Sequence, residues 1–332
     1  MTVLPNNVIF IIRQMVRDMV CPDEFGKFKL NRIIEIIKAA GLRLIQIPHN
    51  GKMYYKVNGI SAKTLFVSGT EEDSRIAVAS DIHAGYKNLD WDKHNRFLDE
   101  GVAKGVRNFI YSGDITEGKC MHPKAKSGFA TTDAYEQAKV FFDNTIDKLK
   151  GYKEKRKNVR LFFIMGNHDL MFPAMGEANP VKILVDMFNS AGIEAYFVNS
   201  FVCNLIIGGV CYRVVHLDDH YGSCLKYYNK VREYITVDFN GKVYPVAGLI
   251  AGHVHKRRFY DPIYFDYTKP EEPRKRTKKE INEIINDGYQ PLFVAQPGSI
   301  KIQAGDEESA EFGYHIRVLT NEHGTPCSYK IL

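Results

Sequence analysis

Seven side chains in this sequence are of types that hold divalent cations: Asp81, His83, Asp114, Asn167, His216, His253 and His255. They fall in five short segments: Asp81-Ile82-His83, Gly113-Asp114, Gly166-Asn167-His168-Asp169, His216 alone, and Gly252-His253-Val254-His255. A mixture of carboxylate, carboxamide and imidazole donors suits Mn²⁺, Fe²⁺, Ni²⁺, Co²⁺ or Zn²⁺ better than Mg²⁺, which prefers oxygen ligands and bound waters. It is the composition that a two-metal hydrolytic centre needs. In such a centre, two cations about 3.5–4 Å apart hold and acidify a water between them.

Each segment closes an apolar run. Residues 75–80 lead to Asp81, 108–112 to Gly113, 161–165 to Gly166, 211–215 to His216 and 246–251 to Gly252. Near-continuous apolar runs bounded by Gly and polar residues read as strands buried on both faces. Side chains at the carboxyl ends of adjacent buried strands converge on one rim, where open α/β sheets bind ligands. Glycines precede Asp114, Asn167 and His253, where the backbone must turn sharply or approach a site closely. Any one of these strings is ordinary at a strand end, but five in this order are not. Helical patterns fit 92–104, 133–150, 180–190 and 225–233, and further strands fit 195–199, 201–207, 258–266, 291–295 and 313–319. Alternating β and α followed by a β-rich end is what two packed sheets flanked by helices produce.

The series D-x-H, G-D, G-N-H-D, H and G-H-x-H resembles the calcineurin-like metallophosphoesterase superfamily, from about residue 75 to 299. Gln296-Pro297-Gly298-Ser299 is similar to the NPGS-type turn of several small members, with Gln for Asn. The resemblance implies an α/β fold, a four-layer α-β-β-α sandwich with two divalent metals at the sheet edge. It implies one ion on Asp81, His83, Asp114 and His255, and another on Asp114, Asn167, His216 and His253, with Asp114 bridging. By resemblance to the nuclease branch the metal is Mn²⁺. His220 competes with His216, which is preferred because it directly ends its strand. His168 resembles the family's catalytic histidine, which binds phosphate and protonates the leaving oxygen, a transfer that typically contributes about 10²–10⁴-fold. Asp169 either orients His168 or simply starts a helix.

After Asp114, Lys119, His122 and Lys124 are candidates for gripping substrate phosphates, unless the loop is a solvated insertion. Residues 262–290 include a Pro-interrupted, charge-dense stretch that reads as an exposed insertion. Residues 1–70 read as a separate unit ahead of a catalytic domain over 71–332. Helices are expected over 8–20 and 30–40, the second closed by Gly41, and then a hairpin around Asn50-Gly51. Helix, helix and hairpin resemble a winged-helix module. Its lysines and arginines could contact nucleic-acid phosphates, or the unit could serve protein docking or self-association.

The composition agrees with a folded enzyme. The 332 residues carry a net charge of +6 and are 45% hydrophobic, which excludes wholesale disorder and permits a polyanionic partner. No apolar stretch approaches the roughly 20 residues of a membrane span. The first residues lack a secretory pattern, so a cytoplasmic location and no membrane partner are expected. The six cysteines form no CxxC pair, which argues against a zinc ribbon. Cys203 and Cys211 fall on neighbouring strands where a bridge is conceivable, but free thiols are the expected state.

Three functional readings follow. The first is a phosphodiesterase acting on nucleic acid. Ser80-Asp81-Ile82-His83-Ala84-Gly85 and Ser112-Gly113-Asp114-Ile115 resemble SbcD-type nucleases, although the long carboxyl-terminal region of those proteins is missing. The second is a small-molecule nucleotide phosphodiesterase or phosphomonoesterase. A protein phosphatase is disfavoured because residues 113–118 do not match GDxVDRG. The third, a scaffold without catalysis, is disfavoured by the intact ligand set.

Overall fold

The computed structural model describes residues 20–25, 30, 33, 34, 37, 42–49, 51–60, 62–69, 71–119, 128–155, 157–216, 236–266, 269, 272–286, 291–302 and 311–332. Strands β1 (Leu42–His49) and β2 (Lys52–Ile60) form an antiparallel hairpin, with Gly51 at φ 71° in its turn. The Asn-Gly reading of the sequence gives this turn its physical basis. Of the helix expected over 30–40, Leu30, Ile33, Ile34 and Ile37 are helical; Ile33 and Ile37 pack with Val20 and Tyr55 against the hairpin. The helix expected over 8–20 lies outside the described residues except for Val20. That residue pairs with Tyr55 through two backbone hydrogen bonds of 2.9 Å and is not helical.

Next in the chain come β3 (Lys63–Val67), β4 (Arg75–Ala79), β5 (Asn108–Tyr111), β6 (Arg160–Ile164), β7 (Glu194–Val198), β8 (Val202–Ile207) and β9 (Val210–His216). They are followed by β10 (Thr236–Phe239), β11 (Lys242–Gly252), β12 (Arg258–Tyr260), β13 (Phe265–Asp266), β14 (Arg274–Lys275), β15 (Phe293–Gln296), β16 (Tyr314–Thr320) and β17 (Pro326–Ile331). One sheet has the order β17-β16-β4-β5-β6-β7, with β4 to β7 parallel. The other runs β12-β15-β11-β9-β8-β3, with β10 paired to β11. Here β9, β11 and β15 are parallel neighbours. Strand β3, in the segment that the sequence reading set apart as amino-terminal, is the edge of this second sheet and pairs with β8.

Period-two alternation explains the stacking. In β4 to β6, Ile76, Val78, Ile110, Phe162 and Ile164 face a core shared with Leu205, Tyr212, Val214, Ile250 and Phe293 of the other sheet. Their neighbours Ala77, Ala79, Phe109, Tyr111, Leu161 and Phe163 face the opposite way, toward helices. Those helices are α1 (Trp91–Ala103), α2 (Ala134–Glu154) and α4 (Pro180–Ser190), with a short α3 (Asn167–Ala174) between α2 and α4. Each buried large side chain contributes about 1.5–3 kcal/mol. Asp90, Asp133 and Asn179 cap α1, α2 and α4 by accepting from the first free backbone N–H groups.

One expectation needs adjusting. The strand expected over 258–266 is broken after Tyr260 by a turn across 262–264, where Phe265 N donates to Asp261 O at 3.0 Å. Pro262 cannot donate to a ladder there. The exposed insertion is ordered locally: β13 and β14 pair, Arg274 bonds Glu280, and Thr277 starts α5 (Lys278–Asn286). The helix expected over 225–233 lies outside the described residues. Cys203 faces the inter-sheet core and Cys211 the outer face of their sheet, so no bridge joins them and both are free.

Candidate metal centre

The carboxyl ends of β4, β5, β6, β9 and β11 deliver Asp81, His83, Asp114, Asn167, His216, His253 and His255 to one rim. Among the described residues three donor groups form there: Asp81, His83 and His255 in one, Asp114, His216 and His253 in another, and His83, Glu117 and His168 in a third. Asn167 joins the second, its Oδ1 lying 2.9 Å from His216 Nε2 and 3.0 Å from His253 Nδ1. Asp114 stands between the first two groups. Its Oδ2 is 3.2 Å from His216 Nε2 and 3.9 Å from His83 Nε2. His216 occupies the position that the strand-end argument gave it, while His220 lies outside the described residues.

The backbone is strained where these groups converge. Five described non-glycine residues have positive φ, and four are ligand candidates: Asp81 (53°), His83 (56°), Asp114 (50°) and His253 (78°). Such conformations cost about 1–3 kcal/mol each and persist where the surroundings hold them for a purpose. Gly166 permits the closest approach. A Cβ there would fall on the backbone nitrogen and carboxylate of Asp114. Gly113, at φ 92°, is similarly pressed against the His216 ring.

The donor atoms fit cations. His83 Nε2 and His255 Nε2 approach to 3.0 Å, two ring nitrogens aimed at one point with an Asp81 oxygen 3.7 Å from the second. Burial holds His83 down to about 4 and His255 to about 3, so both rings are neutral with a lone pair to give. Burial also opposes charge on His216. Asp114, Asp81 and the Ser112 carbonyl nevertheless raise it to about 9. Asp81 is pushed up to about 7 by burial, reinforced by Asp114. Asp114 itself, against the cost of burial, is held well below the usual carboxylate range by His216, His168 and His83. Dense, buried and mutually perturbed donors of this kind await positive charge from outside.

His168 sits beside this cluster. Its backbone N–H donates to Asp114 Oδ1 at 2.8 Å, its Nδ1 donates to the Glu117 carbonyl at 2.6 Å, and its side chain is 27% exposed. The ring therefore reaches solvent from a fixed tautomer. Asp169 does not orient it. Both Asp169 oxygens accept from Ile115 N, Thr116 N, Thr116 Oγ1 and Gly166 N, which ties the loop after β5 to the start of α3. The helix-starting reading of Asp169 fits this geometry. Lys119 is engaged by Glu177 at 2.7 Å and lies over Phe172, while His122 and Lys124 lie outside the described residues. Ser299, in the Gln-Pro-Gly-Ser turn, donates to the Asp81 carbonyl and steadies that strained residue.

The sequence reading missed Glu117 and Lys301. Glu117 Oε2 lies 2.8 Å from His83 Nδ1, and Lys301 Nζ lies within 2.9 Å of both Glu117 oxygens. A lone acid in a basic loop three residues after Asp114 was the only signal for the first, and none marks the second.

A family model described as calcineurin-like phosphoesterase matches residues 74–257, more than half of the chain. The chain belongs to the calcineurin-like phosphoesterase family. Membership makes it a hydrolase of phosphoric esters that uses divalent metal ions, and residues 74–257 include every donor named above. No curated protein matches the sequence. Among solved structures, the phosphoesterase Yfce from E. coli is 13% identical, with TM-score 0.33, covering 77% of this chain and 98% of its own. The Pseudomonas putida nuclease MPE is 13% identical, with TM-score 0.27 and coverages of 82% and 95%. Vps29 of Chaetomium thermophilum is 12% identical, with TM-score 0.29 and coverages of 78% and 96%. Likenesses this distant add nothing to the family assignment. No helix among the described residues is long and apolar enough to cross a membrane.

Proposed function

We propose that this calcineurin-like phosphoesterase is a two-metal phosphodiesterase acting on nucleic acid, with Mn²⁺ as its metal. The observation that carries the two-metal reading is the place of Asp114, whose Oδ2 faces His216 in one donor group and His83 in the other. Asp81, His83, His255 and Asp114 would hold one ion, and Asp114, Asn167, His216 and His253 the second. Such a pair supplies an acidified water and neutralises phosphoryl charge.

The chain's own residues do the rest. Strained backbone and Gly166 fix the donor atoms before substrate arrives, so no reorganisation is needed at the moment of reaction. His168, with Nδ1 committed to the Glu117 carbonyl, presents Nε2 outward, 4.0 Å from Asp114 Oδ2. From there it binds a phosphoryl oxygen and carries the proton to the leaving oxygen. Nucleic acid is favoured as substrate by the net charge of +6 and by the cations of the amino-terminal unit, which would grip phosphates away from the scissile bond.

The deciding test is one substrate panel with Mn²⁺-loaded protein. It comprises bis-p-nitrophenyl phosphate, p-nitrophenyl phosphate, cyclic nucleotides, and single- and double-stranded DNA and RNA. Cleavage of polymer and diester supports the reading. Turnover of monoesters alone would replace it with a small-molecule phosphomonoesterase whose amino-terminal unit serves docking or self-association.

A further inference from the structure

The ligand set leaves one buried ion pair without a role. The side chains of Glu117 and Lys301 are only 6% and 10% exposed, and Lys301 is further covered by the Tyr86 ring at 4.2 Å. A buried ion pair is weak as a source of stability, and well-packed apolar residues often do as well. What distinguishes this pair is its contacts. Lys301 Nζ lies 2.8 and 2.9 Å from the two Glu117 oxygens, Glu117 Oε2 lies 2.8 Å from His83 Nδ1, and the Glu117 carbonyl accepts from His168 Nδ1 at 2.6 Å. One residue therefore touches both the ring that would hold a metal and the ring that would move a proton.

A neutral imidazole has one lone pair, and the partner of one nitrogen decides which nitrogen carries it. Glu117 Oε2 stands 2.8 Å from His83 Nδ1 without the alignment of a hydrogen bond. A negative charge that close still favours the proton on Nδ1 and leaves Nε2 to face His255 and Asp81. Without that partner, the other tautomer would place a proton on the ligating nitrogen. Resting on the two-metal reading above, we propose that Glu117, clamped by Lys301, is the positioning residue that locks His83 for metal binding and His168 for proton transfer. His83, Glu117 and His168 also lie close enough together to form a ligand group themselves. Lys301 already covers both Glu117 oxygens, which leaves the carboxylate a partner for His83 and not a ligand.

The test compares wild type with Glu117→Leu, Glu117→Gln and Lys301→Met, each checked for folding by circular dichroism. Mn²⁺ binding is measured by calorimetry, bound metal is counted per chain, and the His83 tautomer is read from ¹⁵N–¹H imidazole spectra of the metal-free protein. Wild type should bind two ions, with His83 protonated on Nδ1. Glu117→Leu should weaken one of the two ions about 10–100-fold, the usual effect of removing a partner behind a ligating histidine, and change the tautomer. Glu117→Gln, which keeps an acceptor, should lose less, and Lys301→Met should fall with it. Wild-type affinity and tautomer in Glu117→Leu would overturn the proposal, as would a third ion that this variant alone loses. Should wild type bind no metal, the two-metal reading fails, and the metal-free spectra still judge the tautomer on their own.

Discussion

At the amino ends of the parallel strands, Asp73, Asn108 and Arg160 form a closed buried network. Asn108 Nδ2 donates to Asp73 O at 3.1 Å, Arg160 Nε donates to Asn108 Oδ1 at 2.9 Å, and Arg160 pairs with Asp73. At the carboxyl ends of the same strands, Asp81, Asp114 and four histidines crowd together with lone pairs and like charges facing one another. Both clusters are polar and mostly buried, with Arg160 and His255 partly exposed at their rims. The first closes its charges and hydrogen bonds within itself. The second sets a protonated His216 against Asp114 but turns Asp81, His83 and His255 toward one another, and it also carries the strained backbone. A polar cluster that satisfies itself serves the fold, and one that does not is built around something that arrives later.

The sharpest way to break that contrast is to remove the shared carboxylate. Asp114→Ala should abolish binding of both ions and reduce hydrolysis of bis-p-nitrophenyl phosphate to the assay background. Retention of either ion at wild-type affinity would show that Asp114 does not join the groups. His168→Ala should keep both ions by metal analysis and lower turnover about 10²–10⁴-fold. An unchanged rate on a diester with a good leaving group is uninformative about protonation, so a poor leaving group should be used. An unchanged rate there would remove His168 from the mechanism. Arg160→Met should do the opposite. It removes the cation paired with Asp73 and should cost about 2–3 kcal/mol in denaturant melts, with metal content and turnover per folded molecule intact.

How much of this was legible in the sequence follows the same division. Strands that end in Asp81, Asp114, Asn167, His216 and His253 were readable because a strand buried on both faces is a continuous apolar run with an abrupt end. Helix α4 was readable to the residue because Asn179-Pro180 is a cap followed by a fixed φ. Two edge strands were not: β3 and β17 bury one face or less, and their patterns (Lys63–Val67, Pro326–Ile331) resemble loops, whereas the edge strands β7 and β12 were expected. Asp169 was ambiguous because a helix-starting Asp and an orienting Asp look alike until their acceptors are seen. Glu117 and Lys301, 184 residues apart, meet only through the fold. No local pattern could pair them.

The smallest effect is a pH slope in the metal-free protein. His216 has a folded value of about 9 against an ordinary 6.5. Its stabilising contribution is therefore complete below about pH 6.5 and is lost as pH rises through 9. Asp81, raised to about 7, adds the same sign up to that point, since the folded form keeps a proton that the unfolded form has released. Below 6.5, His83 and His255 act oppositely, because the unfolded chain binds protons that the buried rings refuse. These trends offset one another on the acid side. The thiols of Cys203 and Cys211, pushed up to about 12, add the same sign from about pH 8 upward, as the unfolded thiols ionise first. Between pH 7 and 9 the metal-free protein should thus lose stability at about 1–2 kcal/mol per unit, and His216→Asn should reduce that slope. Mn²⁺ affinity should climb over the same interval as the competing proton leaves His216. A melting temperature independent of pH from 7 to 9 in wild type would mean that His216 does not face Asp114 in solution, and the contrast between the two strand ends would lose its charged partner.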